Sequence, residues 1–412
     1  MATAERPLRR GEWITLAMLG VPTFAFALAI TTVSTYLPVL ASSFAPSTVV
    51  IGALIGGEGL MALALPILVG SWSDRLKTPI GGRLPFVLGA TPVLALALGL
   101  LGFVDSIGAA AFGLAIFFAG YFVAYEPYRA LYPDLVDEEV AGRAQSTQAV
   151  SRGLATVIAL AAGGVLLSVG KPVPFVASAA VVAASVGAFG WAVARRGVPQ
   201  QERREEVGAR TLARKLLALL RKHPELRAYL AANALWELSL AALKTFVILY
   251  VTKSLGMSTS GASLVVGAVA VVVLVASPVS GKLGDRIGRA KVMTWSLIVY
   301  GIGLLVPLAT TSTPLLVPVL PIVAFGGGVI MTLPYALLMP MMPSDEHGAL
   351  TGFYSVSRGI GVALGPALAG LAIEIAGQDY RAMWLVCGAA VLTSIPFTRR
   401  LRAEDEGARS SG

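Results

Sequence analysis

Long apolar runs separated by short polar punctuation make up almost the whole chain. Trp13–Leu40, Phe86–Val104 and Val173–Ala194 each match the roughly 20 residues that cross the hydrocarbon core of a bilayer. None alternates with period two, as the strand of a membrane barrel would. Twelve helical spans are predicted, over 13–40, 48–70, 85–104, 109–132, 144–169, 173–194, 225–252, 260–280, 292–310, 315–340, 350–375 and 381–398. The first run is far longer than the apolar region of a cleaved leader and lacks a small-x-small cleavage site. It reads as the first span.

Composition agrees. The 412 residues are 56% hydrophobic and 13% charged, whereas a soluble domain carries about a quarter charged residues. The net charge of +9 is a matter of placement. With the N-terminus inside, 25 of the 32 Lys and Arg fall on the inner side, and only Lys171, Lys253 and Arg381 fall outside. That asymmetry predicts a multi-pass protein of the cell membrane with both termini cytoplasmic. The basic balance then faces anionic inner-leaflet lipid, and nucleic acid is not expected as a partner. Cys387, the one cysteine, lies in an apolar run, and His223 and His347 lie in loops. No disulfide, metal site or cofactor is expected, and no nucleophile–base constellation suggests an enzyme.

Two halves repeat one plan. Asp74-Arg75 corresponds to Asp285-Arg286 at an offset of 211, and Gly82-Arg83 to Gly288-Arg289 at 206. Pro127-Tyr128 corresponds to Pro334-Tyr335 at 207, and Ser151-Arg152-Gly153 to Ser357-Arg358-Gly359 at 206. Ordered matches with small gaps predict parallel repeats, a six-helix bundle over 1–194 and another over 225–412. Between them, 195–224 is a polar linker. Its segment 211–226 spaces Leu212, Leu216, Leu219 and Leu220 as a helix lying on the inner leaflet would.

The stretches 70-GSWSDRLKTPIGGRLPF-86 and 281-GKLGDRIGR-289 carry G-x-x-x-D-R…G-R between spans two and three and between eight and nine. This pattern resembles the major facilitator superfamily. Its longer form, with 127-PYRALYPDL-135 in span four, is similar to the sucrose:proton symporters and the glycoside–pentoside–hexuronide:cation symporters. The resemblance implies a twelve-helix bundle of two pseudosymmetric halves, with spans one, four, seven and ten lining the cavity. It also implies that Asp74, Arg75, Arg83, Asp285, Arg286 and Arg289 latch helix ends rather than hold a ligand. Asp74→Asn is then expected to weaken transport with little change in substrate affinity. The sequence departs from the sucrose pattern where an acid is expected in span four, and carries Phe118 there.

Charges inside the spans are the candidates for chemistry, because each costs roughly 2.5 kcal/mol or more in the membrane interior. Glu58 and Glu237 sit about 18 Å from the inner boundary, and Glu126 about 10 Å from it with Arg129 one turn nearer. Arg152 lies about two turns deep, and Lys244 shares a helix face with Glu237. Glu126, alternately free and paired with Arg129 or Arg152, is the expected coupling acid; a permanent Glu126–Arg152 pair is the alternative. Glu58 suits either helix packing within 56-GGEGL-60 or substrate binding, and Arg358 either snorkelling to the surface or function. Asn233 offers an amide, and Trp236, Tyr36 and Tyr335 offer ring faces that suit a sugar or that serve packing.

The expected function is secondary active transport by a monomer of a small polar solute, foremost a sugar or glycoside taken up with protons. Carboxylates and carbonyls would also serve Na+. Proton-driven export of amphipathic metabolites or drugs uses the same interior acids. A non-transporting scaffold or assembly factor is the alternative of another class.

Overall fold

A computed structural model describes residues 8–76, 78–196, 220–338 and 347–410, together with Arg214, Leu217 and Ala218. The chain runs through α1 (Arg10–Ala41), α2 (Thr48–Arg75), α3 (Leu84–Leu100), α4 (Ile107–Ala130), α5 (Ala141–Val169) and α6 (Val173–Arg196). It continues through α7 (Pro224–Lys253), α8 (Thr259–Ile287), α9 (Arg289–Ala309), α10 (Leu320–Leu338), α11 (His347–Ile375) and α12 (Ala382–Ser410). Twelve candidate spans are found among the described residues, one on each helix. An even number of crossings puts the start of α1 and the end of α12 on one face, here the terminal face; the other is the distal face. Of the predicted interfacial helix over 211–226, Leu212, Leu216 and Leu219 lie outside the described residues, and Pro224, Glu225 and Leu226 already belong to α7.

The helices begin where the sequence supplies caps. Ser47, Ser106 and Ser258 accept from the backbone of Val50, Ala109 and Gly261, opening α2, α4 and α8 at the distal face. Prolines inside spans, such as Pro127 in α4 and Pro334 in α10, are tolerated because neighbouring helices shield the freed backbone groups.

Packing repeats with a shift of six helices. In the first half α1 packs on α5 and α6, α3 on α4 and α6, and α2 on α4. In the second, α7 packs on α11 and α12, α9 on α10 and α12, and α8 on α10. The halves meet chiefly through α2 against α11, α5 against α8, and α1 against α7. The first two contacts exchange under the same shift, as a twofold axis along the membrane normal requires. Small residues let these helices approach. A side chain at Gly56 would collide with the Ala363 carbonyl, and one at Gly59 with Ala363 and Gly359. Across α5 and α8, Gly164 meets Ser263 and Gly267 meets Ala161. The span-eleven run 359-GIGVALGPALAG-370 is likewise helix-packing surface, where Gly361 and Gly365 meet Leu238 of α7 and Gly370 meets Thr48 of α2.

The motif between spans two and three is more helical than its glycines suggest. Gly70 through Arg75 continue α2, Leu76 caps it, and Thr78 through Arg83 are the described part of the turn into α3. In the second half α8 runs through Ile287, and α9 restarts at Arg289. Gly288, at φ 105°, makes that corner in a region where a Cβ is strained.

Candidate functional site

Both ends of the molecule are tied, in different ways. At the distal face the ties run between halves. The Tyr36 hydroxyl of α1 donates to the Leu160 carbonyl at 2.7 Å and lies 2.7 Å from Ser263 Oγ of α8. The Gly164 amide of α5 donates to Ser263 Oγ at 3.0 Å. Thr48 of α2 donates to the Gly370 carbonyl of α11 at 2.8 Å, and Ser47 to Glu374 Oε2 at 2.5 Å. At the terminal face the ties run within a half. Arg83 Nη1 donates to the Ala130 carbonyl and to Asp134 Oδ2, the latter at 2.7 Å. Arg289 Nη1 donates to the Ala336 carbonyl at 3.1 Å, and its Nη2 to Asp285 at 3.0 Å. Both arginines reach a carbonyl 47 residues onward, 206 residues apart, so the latch is itself repeated. Arg286 is exposed; Asp74 and Arg75 lie in α2 with side chains outside the described residues.

Between these layers the interior charges gather. Arg358 of α11 lies between two carboxylates: Nη2 is 3.9 Å from Glu58 Oε1 of α2, and Nε is 3.8 Å from Glu237 Oε2 of α7. Glu58 belongs to the first half, while Glu237 and Arg358 belong to the second. The arginine therefore spans the interface. Glu58 is only 7% exposed, whereas the Arg358 side chain is 45% exposed, so the guanidinium faces open space that the carboxylate does not. Distances near 4 Å leave these as electrostatic contacts rather than formed hydrogen bonds. Lys244 and Tyr354 lie within electrostatic reach of Glu237, and Lys244 also of Glu58.

A second pair stands nearer the terminal face. Arg129 Nη1 is 3.6 Å from Glu126 Oε2 one turn away on α4, and its guanidinium lies 5.7 Å from the Tyr125 ring centre. α4 is fixed from behind, where the Thr23 hydroxyl of α1 sits 2.7 Å from that of Tyr128 and 2.9 Å from that of Tyr132. Arg152 is exposed and has no acidic partner among the described residues. The permanent Glu126–Arg152 pair is not formed. Tyr335 stands edge-on to Tyr354 with centroids 5.7 Å apart.

Three of the predicted solute contacts lie elsewhere. Trp236 is fully buried and donates to Ser394 Oγ of α12 at 2.8 Å. Asn233 donates to Ser357 Oγ of α11 at 2.7 Å and is equally buried. Tyr36 belongs to the distal seal. Trp236 and Glu237 are adjacent on one helix and point about 100° apart, so the two do not share one face. Phe118 packs on Phe117, with centroids 5.4 Å apart. Cys387 is buried and donates weakly to the Ser239 carbonyl at 3.6 Å, a packing role. Tyr121 and Tyr354 stand near the interior arginines and were not anticipated; Tyr354 precedes Arg358 by one turn, which is the signal that could have found it.

A twelve-helix bundle of two pseudosymmetric halves, with charges at their seam, defines the class of rocking membrane transporters. The chain belongs to the Major Facilitator Superfamily, which it matches over residues 19–258 and 238–411. Among curated relatives, Multidrug resistance protein MdtG of Escherichia coli O17:K52:H18 is 27% identical over 190 residues, 45% of this chain and 46% of that protein. An uncharacterized MFS-type transporter, YfiU of Bacillus subtilis, is 29% identical over 104 residues, 25% of this chain and 20% of that protein. The chain thus spans less than half the length of these relatives. Among solved structures, a bacterial homolog of the human lysosomal transporter Spinster, inward-facing and unoccupied, superposes with TM-score 0.79 at 14% identity, covering 97% of this chain and 99% of that one. A D-xylose-proton symporter gives 0.73 at 13%, covering 94% and 97%. These likenesses establish the fold. The resemblance to the sucrose branch stays with its two short motifs.

Proposed function

We propose that the chain is a proton-coupled secondary transporter of a small polar solute, in the simplest reading a sugar or glycoside. The observation that carries this reading is Arg358, placed between a carboxylate of its own half and one of the other half. An ion pair that drives alternating access must change when the halves rock. Glu126 and Arg129 share one helix, so their pair can persist through the cycle. The Glu58–Arg358 contact crosses the seam and cannot persist unaltered. A carboxylate that loses its cation in the membrane interior is cheapest when it takes up a proton. Glu58 and Glu237, rather than Glu126, are therefore assigned the coupling role, with Arg358 as the cation they share.

Basic residues crowd the terminal face, which we assign to the cytoplasm. The conformation, sealed distally with interior arginines accessible, then corresponds to an inward-facing state. Export is the second reading, favoured by the relatives named for multidrug resistance. Proteoliposomes loaded with a pH-sensitive dye separate the two. A polar solute that carries protons along its own direction supports symport, and proton movement opposed to that of a cationic dye supports export. Absence of solute-evoked proton flux across sugars, organic acids and dyes would contradict both.

A further inference from the structure

The interior charges do not balance. Arg129, Arg152, Lys244 and Arg358 face Glu58, Glu126 and Glu237, so four cations meet three carboxylates. The surplus has an address, and the repeat identifies it. Arg152 and Arg358 are equivalent at an offset of 206, and each is followed by a glycine at the seam. Gly359 packs on Leu63 of α2, while Gly153 packs on Leu274 of α8, and those leucines are themselves 211 residues apart. The two arginines therefore occupy the same place in the two halves.

Their surroundings differ. The C-terminal arginine has Glu58 on the facing helix of the other half and Glu237 on α7 of its own. The position equivalent to Glu58 on α8, at the 211 offset, is Val269. On α1, the counterpart of α7, the only acid is Glu12 at the terminal end. Arg152 has therefore lost both counterions that its twin keeps. It is exposed, and the groups near it are hydroxyls: Tyr121, Tyr132 and Tyr354 all lie within reach of its charge. Tyr354 is also within reach of Arg129 and Arg358, so one phenol feels the charge of three guanidiniums drawn from both halves. An unpaired cation in the membrane interior is costly, and a guanidinium fork is matched to carboxylate or phosphate oxygens.

We propose that Arg152, with Arg129 in reach of the same Tyr354 phenol, binds an anionic group of the solute, a carboxylate or a phosphate, while Arg358 remains engaged by Glu58 and Glu237. The inference rests on the transporter reading only in calling that anion part of the cargo. The solute supplies the counterion that the N-terminal half lacks, and hydroxyls of Tyr121 and Tyr354 are placed to bind the rest of a polar molecule. Selectivity for charge then resides with Arg152 in the first half, and coupling with Arg358 and the two carboxylates that meet it at the seam.

The test is equilibrium binding to the purified full-length chain, read by thermal shift and titration. The probes are glucose, glucuronate and glucose 6-phosphate, with acetate and inorganic phosphate as fragments. Binding of at least one anionic probe, at least tenfold tighter than glucose and weakened by added salt, is expected. Arg152→Gln should weaken that probe at least tenfold, and Arg152→Lys should retain part of the affinity. Whether the carboxylate or the phosphate series responds identifies the group. Stabilisation by none of the anions, or by glucose equally, overturns the proposal. So does Arg152→Gln leaving every affinity unchanged, including when it abolishes transport, because the arginine would then serve the rocking cycle alone. A chain that binds anions but evokes no proton flux would overturn the transport reading and leave this one standing.

Discussion

The two halves share a packing order, a terminal-face latch and an arginine at the same depth, yet the arginines have different company. Arg358 is held between Glu58 and Glu237, while Arg152 stands among tyrosines. Duplicated structure thus carries divided labour. The symmetric features are mechanical: small residues at α2/α11 and α5/α8, and arginines gripping the carbonyls of Ala130 and Ala336. The asymmetric features are electrostatic, and they lie at the seam between the halves.

The sharpest way to break the comparison is to remove each arginine in turn. Arg358→Ala leaves the carboxylates of Glu58 and Glu237 without their shared cation. It should abolish uphill transport and cost about 1–3 kcal/mol, a value reduced from that of a fully buried pair because the guanidinium is half exposed. Arg152→Ala strands no carboxylate and should shift the melting temperature little. Thermal denaturation in detergent checks both; equal losses would erase the distinction between the halves.

Seam packing should show the next largest effect. Gly56→Leu drives a side chain into the Ala363 carbonyl and should cost about 1–3 kcal/mol while opening the distal face. Gly267→Leu should act similarly through Ala161. Accessibility of a distal cysteine to an impermeant thiol reagent reads the opening, and protection unchanged from the parent would contradict the seal described here. A subtler change restores symmetry. Val269→Glu puts an acid where Glu58 has its counterpart, and should reduce anionic-probe binding as Arg152→Gln does. Retained affinity would mean that α8 does not face Arg152.

Smallest of all is the terminal-face latch of the second half. Asp285 is 64% exposed beside Arg289, so Asp285→Asn should change stability by no more than about 1 kcal/mol. Asp134→Asn should cost more, because Asp134 and Arg83 form a largely buried pair at 2.7 Å. Paired melting curves rank them, and the reverse order would show that exposure does not govern the latch.

Much of this was legible before any coordinates. Apolar runs long enough to span fixed the twelve helices, and the offsets of 206 to 211 located the repeat. Spacing three apart put Glu126 beside Arg129, and spacing seven apart put Lys244 on the face of Glu237. Azimuth across helices was not legible. Position along a span gives depth, but which residue of another span shares that depth and faces it depends on packing. Arg358 could therefore be read as snorkelling when it bridges two acids, and Trp236 as a solute contact when it faces α12. The start of the loop motif is helical for a local reason: nothing between Gly70 and Arg75 stops a helix, and the chain leaves it only at Leu76, where the backbone turns extended ahead of Pro79.

Glu58, across the seam from Arg358, is the residue to which the coupling role is proposed to fall. Glu58→Gln removes its charge and keeps its shape, and reconstituted vesicles can separate exchange from accumulation. Solute counterflow should persist in this variant while accumulation driven by an imposed pH gradient is lost. Accumulation at the parent level would contradict the assignment.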